Sequence, residues 1–228
     1  MTLYLSRIHF PVTTLGPGRR IGIWFQGCSI RCQGCVSADT WGTGKGGVSI
    51  NEIMAAIDIW LHEADGVTIS GGEPFDQPEA LINLLAQIRS KTHQDILVYS
   101  GHPFEKIAPL VDQCQGTIDA LISDPYEKNA SQTLALRGSD NQRLHCLTPL
   151  GETRFRPFER ALEPSDKTFD IMFEEEGAIW LAGIPRRDDM QRLKSFLASE
   201  GHMAITTQDE RSKKGGPYDD PYSSVPRM

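Results

Sequence analysis

The chain has 228 residues, of which 39% are hydrophobic and 23% are charged, and its formal net charge is −7. This balance is typical of a globular protein with one large domain, or one domain and an appendage. The negative charge disfavours binding to nucleic acid, which needs clustered Lys and Arg. The apolar stretches are too short to span a membrane, and residues 1 to 7 lack the pattern of a signal peptide, so we expect a cytoplasmic protein.

The first part of the chain predicts strands that alternate with helices. This alternation indicates an α/β fold with a parallel sheet and right-handed crossovers, in which ligands bind beyond the carboxyl ends of the strands. A capping box, Ser49-Ile50-Asn51-Glu52, marks the start of the first helix. Strands are expected at 21–26, 67–70, 96–99 and 118–122, with further helices at 78–89 and 104–111.

The pattern changes beyond about residue 145. We expect a core over residues 1–145, a C-terminal extension over 146–207, and a disordered tail over 208–228 that is rich in Gly, Pro, Ser and charge. The extension is predicted to have a β-β-α-β order, with strands at 170–173 and 179–182, a helix at 188–199 and a last strand at 202–206.

Three cysteines, Cys28, Cys32 and Cys35, follow the first predicted strand within eight residues. Thiolates this close together in a cytoplasmic protein indicate a metal site rather than disulfides. A cubane iron–sulfur cluster normally takes four cysteines, so three would leave one iron open to a substrate or cofactor. Zinc is the alternative, but it prefers four ligands, and neither His62 nor Cys114 has the paired spacing that would complete such a site.

A second group of candidate residues follows the later strands. Gly71-Gly72-Glu73-Pro74 comes directly after one strand, and Ser100 comes after the next. Paired glycines let backbone amides approach a ligand, and Glu73 offers an acceptor for an ammonium group, although an ordinary strand-to-helix turn would have the same sequence. Gly34 would relieve crowding where the backbone wraps a bulky cluster. Since these segments all follow strands, they are expected to converge at one edge of the sheet.

The spacing Cys28-x3-Cys32-x2-Cys35 resembles the signature of radical S-adenosylmethionine (SAM) enzymes. The resemblance implies a [4Fe–4S] cluster held by these three cysteines, with SAM bound at the open iron. It assigns Gly71, Gly72 and Glu73, with Pro74 beside them, to the methionyl end of SAM. It also implies that the α/β core is a partial (β/α)6 TIM-like barrel of the radical SAM type, followed by the C-terminal β-β-α-β extension.

Further segments are similar to the activating enzymes of glycyl radical proteins, above all to those of anaerobic ribonucleotide reductase. These segments are residues 16–19, 24–28, 40–41, 99–102, 118–126 and 137–143. The resemblance implies reductive cleavage of SAM to a 5′-deoxyadenosyl radical, which abstracts hydrogen from a glycyl radical enzyme. It also implies an electron donor such as flavodoxin or ferredoxin. The chain departs from the family pattern at Leu15 and at Ser37-Ala38, and it continues well past the last shared motif.

Other functions remain open at this point. A radical SAM enzyme could instead modify a peptide or a small molecule with the help of the extension. A non-catalytic iron–sulfur module that senses oxygen or binds a partner would keep the cysteines but would not explain the Gly-Gly-Glu turn. Among the histidines, His102 is the best candidate for a functional residue, because it follows a strand at the expected active edge.

Overall fold

The structure is a computed structural model that describes residues 1–173 and 179–202. It has an α/β fold built on a seven-stranded sheet with the strand order β3-β1-β2-β4-β5-β6-β7. The strands of this sheet are β1 Thr2–Val12, β2 Arg20–Phe25, β3 Gly47–Ser49, β4 Gly66–Gly71, β5 Asp95–Tyr99, β6 Ala120–Ser123 and β7 Arg143–Cys146.

The sheet is mixed rather than wholly parallel. Strands β2, β4, β5 and β6 are parallel, as the alternating pattern predicts, whereas β1, β3 and β7 pair antiparallel with their neighbours. The sequence pattern did not predict β1 or β7. Strand β1 pairs with β2 through two register irregularities, which blur the two-residue alternation. Strand β7 is short and begins in a polar segment that reads as a turn.

Three helices cover one face of the sheet: α1 Ile50–Asp58, α2 Pro78–Lys91 and α3 Phe104–Gln113. The predicted capping box is present, since Ser49 accepts a hydrogen bond from the Glu52 amide and Glu52 accepts one from the Ser49 amide. The buried faces of α1 and α2 pack on apolar side chains of the parallel strands in the largest core cluster. This packing holds the carboxyl ends of those strands at one edge.

The other face of the sheet is covered by the second half of the chain. Helix α4 (Pro149–Phe155), which the sequence did not predict, buries Phe155 against Leu97 and Ile122. The strands predicted at 170–173 and 179–182 are present as β8 (Phe169–Phe173) and β9 (Ile179–Gly183), which pair antiparallel in a separate two-stranded sheet.

Contacts near the N-terminus attach this hairpin to the core. Asp170 of β8 accepts hydrogen bonds from the Thr13 amide (2.6 Å) and the Thr13 hydroxyl (2.8 Å). The Arg7 guanidinium lies over the rings of both Trp24 and Trp180, at 5.4 and 4.4 Å from the ring centroids. Met172 and Ala182 of the pair also pack on Val12 and Trp24, so the extension packs on the core through polar, aromatic and apolar contacts.

A buried ion-pair network lies at the amino-terminal ends of the parallel strands. Arg20 is fully buried, and its Nη2 lies 2.6 Å from Oδ1 of Asp95, which is also buried. Arg154 approaches the second carboxylate oxygen of Asp95 at 2.9 Å. Arg20 also donates to Thr68 and to the Val67 carbonyl, so that the first residues of three parallel strands are tied together.

The predicted C-terminal helix is present as α5 (Asp189–Ser199), but its described side chains are not buried and Phe196 is 61% exposed. The predicted last strand at 202–206 and the predicted tail at 208–228 lie, apart from residue 202, outside the described residues. In the ranges 1–173 and 179–202, no helix is long and apolar enough to cross a membrane.

Candidate active site

The candidate residues converge at the carboxyl edge of the parallel strands. The cysteine loop follows β2, the Gly-Gly-Glu turn follows β4, and Ser100 follows β5. Hydrogen bonds join all three segments: the Glu73 amide donates to the Gly27 carbonyl (2.8 Å), and the Ser100 hydroxyl donates to the Glu73 carboxylate (2.9 Å). The structure thus brings together the segments that the sequence pattern placed at one edge.

The three cysteines are free thiols, with Cys28 buried and Cys32 and Cys35 half-buried. N–H groups near each sulfur lower the pKa of the thiol. They are the amides of Ile30 and Arg31 for Cys28, the amides of Tyr126 and of Cys32 itself for Cys32, and the Ser37 amide and Trp41 side chain for Cys35. Such donors stabilise negative charge on sulfur, which is the charge that a metal-bound cysteine carries.

Burial has the opposite effect on these thiols. It raises the pKa of Cys28 and Cys32 above the ordinary value, and it raises the pKa of Cys35 to about 11. The thiolates therefore need a cationic partner, and the irons of a cluster provide one. Among the described residues, no three His, Cys, Asp or Glu side chains are placed to hold a single metal ion. In a cluster, by contrast, each iron takes its own thiolate, and three thiols on one loop fit that donor set.

Close backbone contacts explain why residues 71 and 72 of the turn are both glycine. A Cβ on Gly72 would lie 2.0 Å from the Gly27 carbonyl oxygen, and a Cβ on Gly71 would lie 2.5 Å from the Phe25 amide nitrogen. Gly71 also has a φ of 104°, a conformation that favours glycine. The turn after β4 consequently lies directly against the start of the cysteine loop.

Glu73 is buried, with 1% of its surface exposed, and burial raises the pKa of its carboxyl group. One carboxylate oxygen accepts hydrogen bonds from the Phe75 amide and the Ser100 hydroxyl, and the other accepts from the Gly101 amide at 2.8 Å. Glu73 therefore organises the turns after β4 and β5. Its direct contact with SAM, like those of Gly71, Gly72, Pro74, Ser100 and Gly34, stays a prediction.

A polar cluster that the sequence did not indicate as a group lies beside the cysteine loop. Asp76 accepts hydrogen bonds from the amide (2.7 Å) and the hydroxyl (2.9 Å) of Ser29, the residue after Cys28. His102, the histidine singled out from the sequence, lies with Nε2 3.3 Å from Asp76 and Nδ1 3.0 Å from the Lys106 ammonium. The only sequence signal for Asp76 is its place in the turn after Gly-Gly-Glu-Pro.

Residues 14–145 match the family described as a 4Fe-4S single cluster domain. The anaerobic ribonucleoside-triphosphate reductase-activating protein of Enterobacteria phage T4 is 31% identical over 134 residues, which are 57% of this chain and 85% of that protein. The protein of the same name from Salmonella typhi is 28% identical over 151 residues, 61% of this chain and 96% of the relative.

A second group of relatives is longer. The pyruvate formate-lyase-activating enzyme of Listeria monocytogenes is 29% identical over 153 residues, which cover 62% of this chain and 61% of that enzyme. The matched region carries the cysteine loop and the Gly-Gly-Glu turn, which define an iron–sulfur protein of the radical SAM class. Within that class, the chain belongs to the family of radical SAM activating enzymes, whose cofactors are a [4Fe–4S] cluster and S-adenosylmethionine. The resemblance stated from the motifs is thereby confirmed.

Proposed function

We propose that this protein activates a glycyl radical enzyme, with an anaerobic ribonucleotide reductase as the first candidate. The observation that carries the proposal is the contact between the three-cysteine loop and the Gly-Gly-Glu turn, through Gly27 and Glu73, in a chain similar to reductase-activating proteins. When bound, the [4Fe–4S] cluster and SAM would supply the one-electron chemistry that removes a hydrogen atom from the substrate.

The chain's own residues would bind and position these groups. Cys28, Cys32 and Cys35 would hold the cluster, and the N–H groups around them would stabilise their negative charge. Gly71 and Gly72 would present backbone groups to the methionyl end of SAM. Buried Glu73 accepts hydrogen bonds from Ser100 and Gly101 and so joins the turns after β4 and β5 at the same edge.

The wider architecture is proposed on the same basis. We propose that the four parallel strands with their covering helices belong to the partial (β/α)6 barrel that the resemblance implies, and that residues 1–145 form this core. The segment from residue 146 onward would be an added unit, because beyond β7 it adds no strand to the seven-stranded sheet and packs on the core through Phe155, Asp170 and Trp180.

The decisive experiment is anaerobic reconstitution with iron and sulfide, followed by SAM and dithionite. We expect a visible absorption band that bleaches on reduction and formation of 5′-deoxyadenosine. Cys32→Ala should lose both, whereas Cys114→Ala, which changes a buried cysteine in the core cluster, should keep both. A reconstituted protein that forms no 5′-deoxyadenosine above the Cys32→Ala background would refute SAM cleavage.

The substrate is tested separately. Mixing the loaded protein with an anaerobic reductase, SAM and reduced flavodoxin or ferredoxin should produce a glycyl radical signal in electron paramagnetic resonance (EPR).

The main alternative is a peptide or small-molecule substrate, and the observation in its favour is the hairpin β8–β9 packed over the face of the sheet that carries Trp24 and Tyr99. Deuterium transferred from such a substrate into 5′-deoxyadenosine, with no glycyl radical, would favour that alternative.

A further inference from the structure

The segment between the first two cysteines contacts the turns that follow both β4 and β5. Asp76, in the turn after β4, accepts two hydrogen bonds from Ser29: the amide nitrogen lies 2.7 Å from Oδ2, and the hydroxyl oxygen lies 2.9 Å from Oδ1. A Cβ built on Gly101, in the turn after β5, would lie 2.8 Å from Cδ1 of Ile30. Two successive residues of the segment are therefore held, one by a carboxylate and one by packing.

The backbone of this segment adopts a conformation that needs support. Arg31 has a φ of 54°, in the left-handed region that residues with a side chain seldom adopt. Ser29 is bonded directly to Cys28, so the contacts that hold Ser29 also restrict the direction of the Cys28 side chain. Asp76 consequently acts on a cluster-binding cysteine through a single intervening residue.

His102 is a second partner of the Asp76 carboxylate. Its Nε2 lies 3.3 Å from Oδ1 of Asp76, and its Nδ1 lies 3.0 Å from the Lys106 ammonium. An ammonium group only donates hydrogen bonds, so Nδ1 is the acceptor and Nε2 carries the proton that is donated to Asp76. The His102 side chain is only 10% exposed, and its amide donates to the Ser100 hydroxyl at 3.1 Å. The donor that orients Asp76 is thus itself held at the turn after β5.

The negative charge of Asp76 lies close to the Cys28 sulfur. Standard bond lengths place the Ser29 nitrogen within about 5 Å of that sulfur, and hence the carboxylate within about 8 Å of it. The Asp76 side chain is 27% exposed, so solvent screens its charge only in part. One-electron reduction adds a negative charge to a cluster and its thiolates, and a fixed carboxylate at this distance disfavours the reduced state.

We propose that Asp76 is a positioning residue for the cluster: it fixes Ser29 and thereby the Cys28 ligand, and its charge lowers the reduction potential of the cluster. The inference rests on the proposed binding of the cluster by the three cysteines. His102 orients Asp76 in this account, which gives a role to the histidine that the sequence singled out.

Two variants separate the effect of the charge from that of the hydrogen bonds. Asp76→Asn removes the charge and leaves one acceptor oxygen in place of two, whereas Ser29→Ala removes one donor and keeps the charge. Asp112→Asn is the matched control, because it removes the same charge at an exposed site near the end of α3, a helix that leads away from the candidate site.

Each protein is reconstituted anaerobically and titrated with dithionite in the absence of SAM, and the midpoint potential of the cluster is followed by EPR. The transfer of iron to a chelator is measured in parallel. We expect a higher midpoint potential for Asp76→Asn than for Asp112→Asn, which should match the unaltered protein. Ser29→Ala should keep the unaltered midpoint but release iron about fivefold faster, the effect of losing one hydrogen bond of ordinary net strength.

A midpoint for Asp76→Asn equal to or below that of Asp112→Asn would overturn the inference, and so would unaltered iron release from Ser29→Ala. If Asp76→Asn builds no cluster, the release rate of Ser29→Ala decides the question. Either negative result leaves the proposed function intact. An unaltered protein that builds no iron–sulfur cluster would instead overturn the ligation on which both depend.

Discussion

Gly72→Ala should separate the cysteine loop from the turn after β4. A Cβ at this position would lie 2.0 Å from the Gly27 carbonyl oxygen and 2.7 Å from its carbon, whereas real Cβ atoms keep at least 3.0 Å from such neighbours. The backbones must therefore move apart by about 1 Å, because the obstacle is backbone and cannot rotate away.

The expected loss in the free energy of unfolding follows from the hydrogen bonds at this contact. The Glu73 amide donates to the Gly27 carbonyl at 2.8 Å, and the Gly27 amide donates to the Thr40 carbonyl at 2.7 Å. Each is worth about 1 kcal/mol net, and more where a buried donor is left unpaired, so we expect a loss of about 2–4 kcal/mol in the free energy of unfolding. That is a large fraction of the ~5–15 kcal/mol typical of a native protein.

The measurement is anaerobic urea denaturation together with the iron content after reconstitution. Gly42→Ala is the matched control, since its Cβ would meet only the Gln26 side chain at 3.6 Å and its φ of −65° suits alanine. We expect Gly72→Ala to lower both the urea midpoint and the iron content, and Gly42→Ala to change neither. Unaltered stability and iron content in Gly72→Ala would refute the close contact between turn and loop.

Three further outcomes are expected. Arg20→Met leaves Asp95 buried with only part of its compensating charge, so urea denaturation should show a loss of about 3–5 kcal/mol, and a loss below about 1 kcal/mol would contradict the network. Arg160 holds the pKa of Asp166 at about 2, so the stabilisation from this pair should be complete above about pH 4 and disappear as the pH falls towards 2. Near-ultraviolet circular dichroism should show that acid transition, and Asp166→Asn should weaken it. Trp180→Ala should speed limited proteolysis of the extension without changing the cleavage pattern of the core, because it removes an aromatic face from the Arg7 contact.

Much of the architecture could be predicted from local sequence patterns. The capping box at Ser49, the buried strand that contains Ile69 and the helix from Pro78 all depend on residues close together in the chain, and the structure contains each of them. Strand β1 and helix α4 were missed because their positions depend on what covers them. Arg7 of β1 and Phe155 of α4, for example, take part in contacts with residues far away in the sequence.

The candidate active site likewise combines features that the local sequence determines with features that only the folded chain determines. Composition and motif spacing determined the class of cofactor, because three cysteines on one short loop restrict the ligand geometry by themselves, and the relatives bear this out. The sequence also determined that the loop and the Gly-Gly-Glu turn follow strands and so share an edge. Only the tertiary structure decided that the Glu73 carboxylate accepts hydrogen bonds from Ser100 and Gly101. Those contacts join residues that lie tens of positions apart, and their partners are set by how the strands pack rather than by any local pattern.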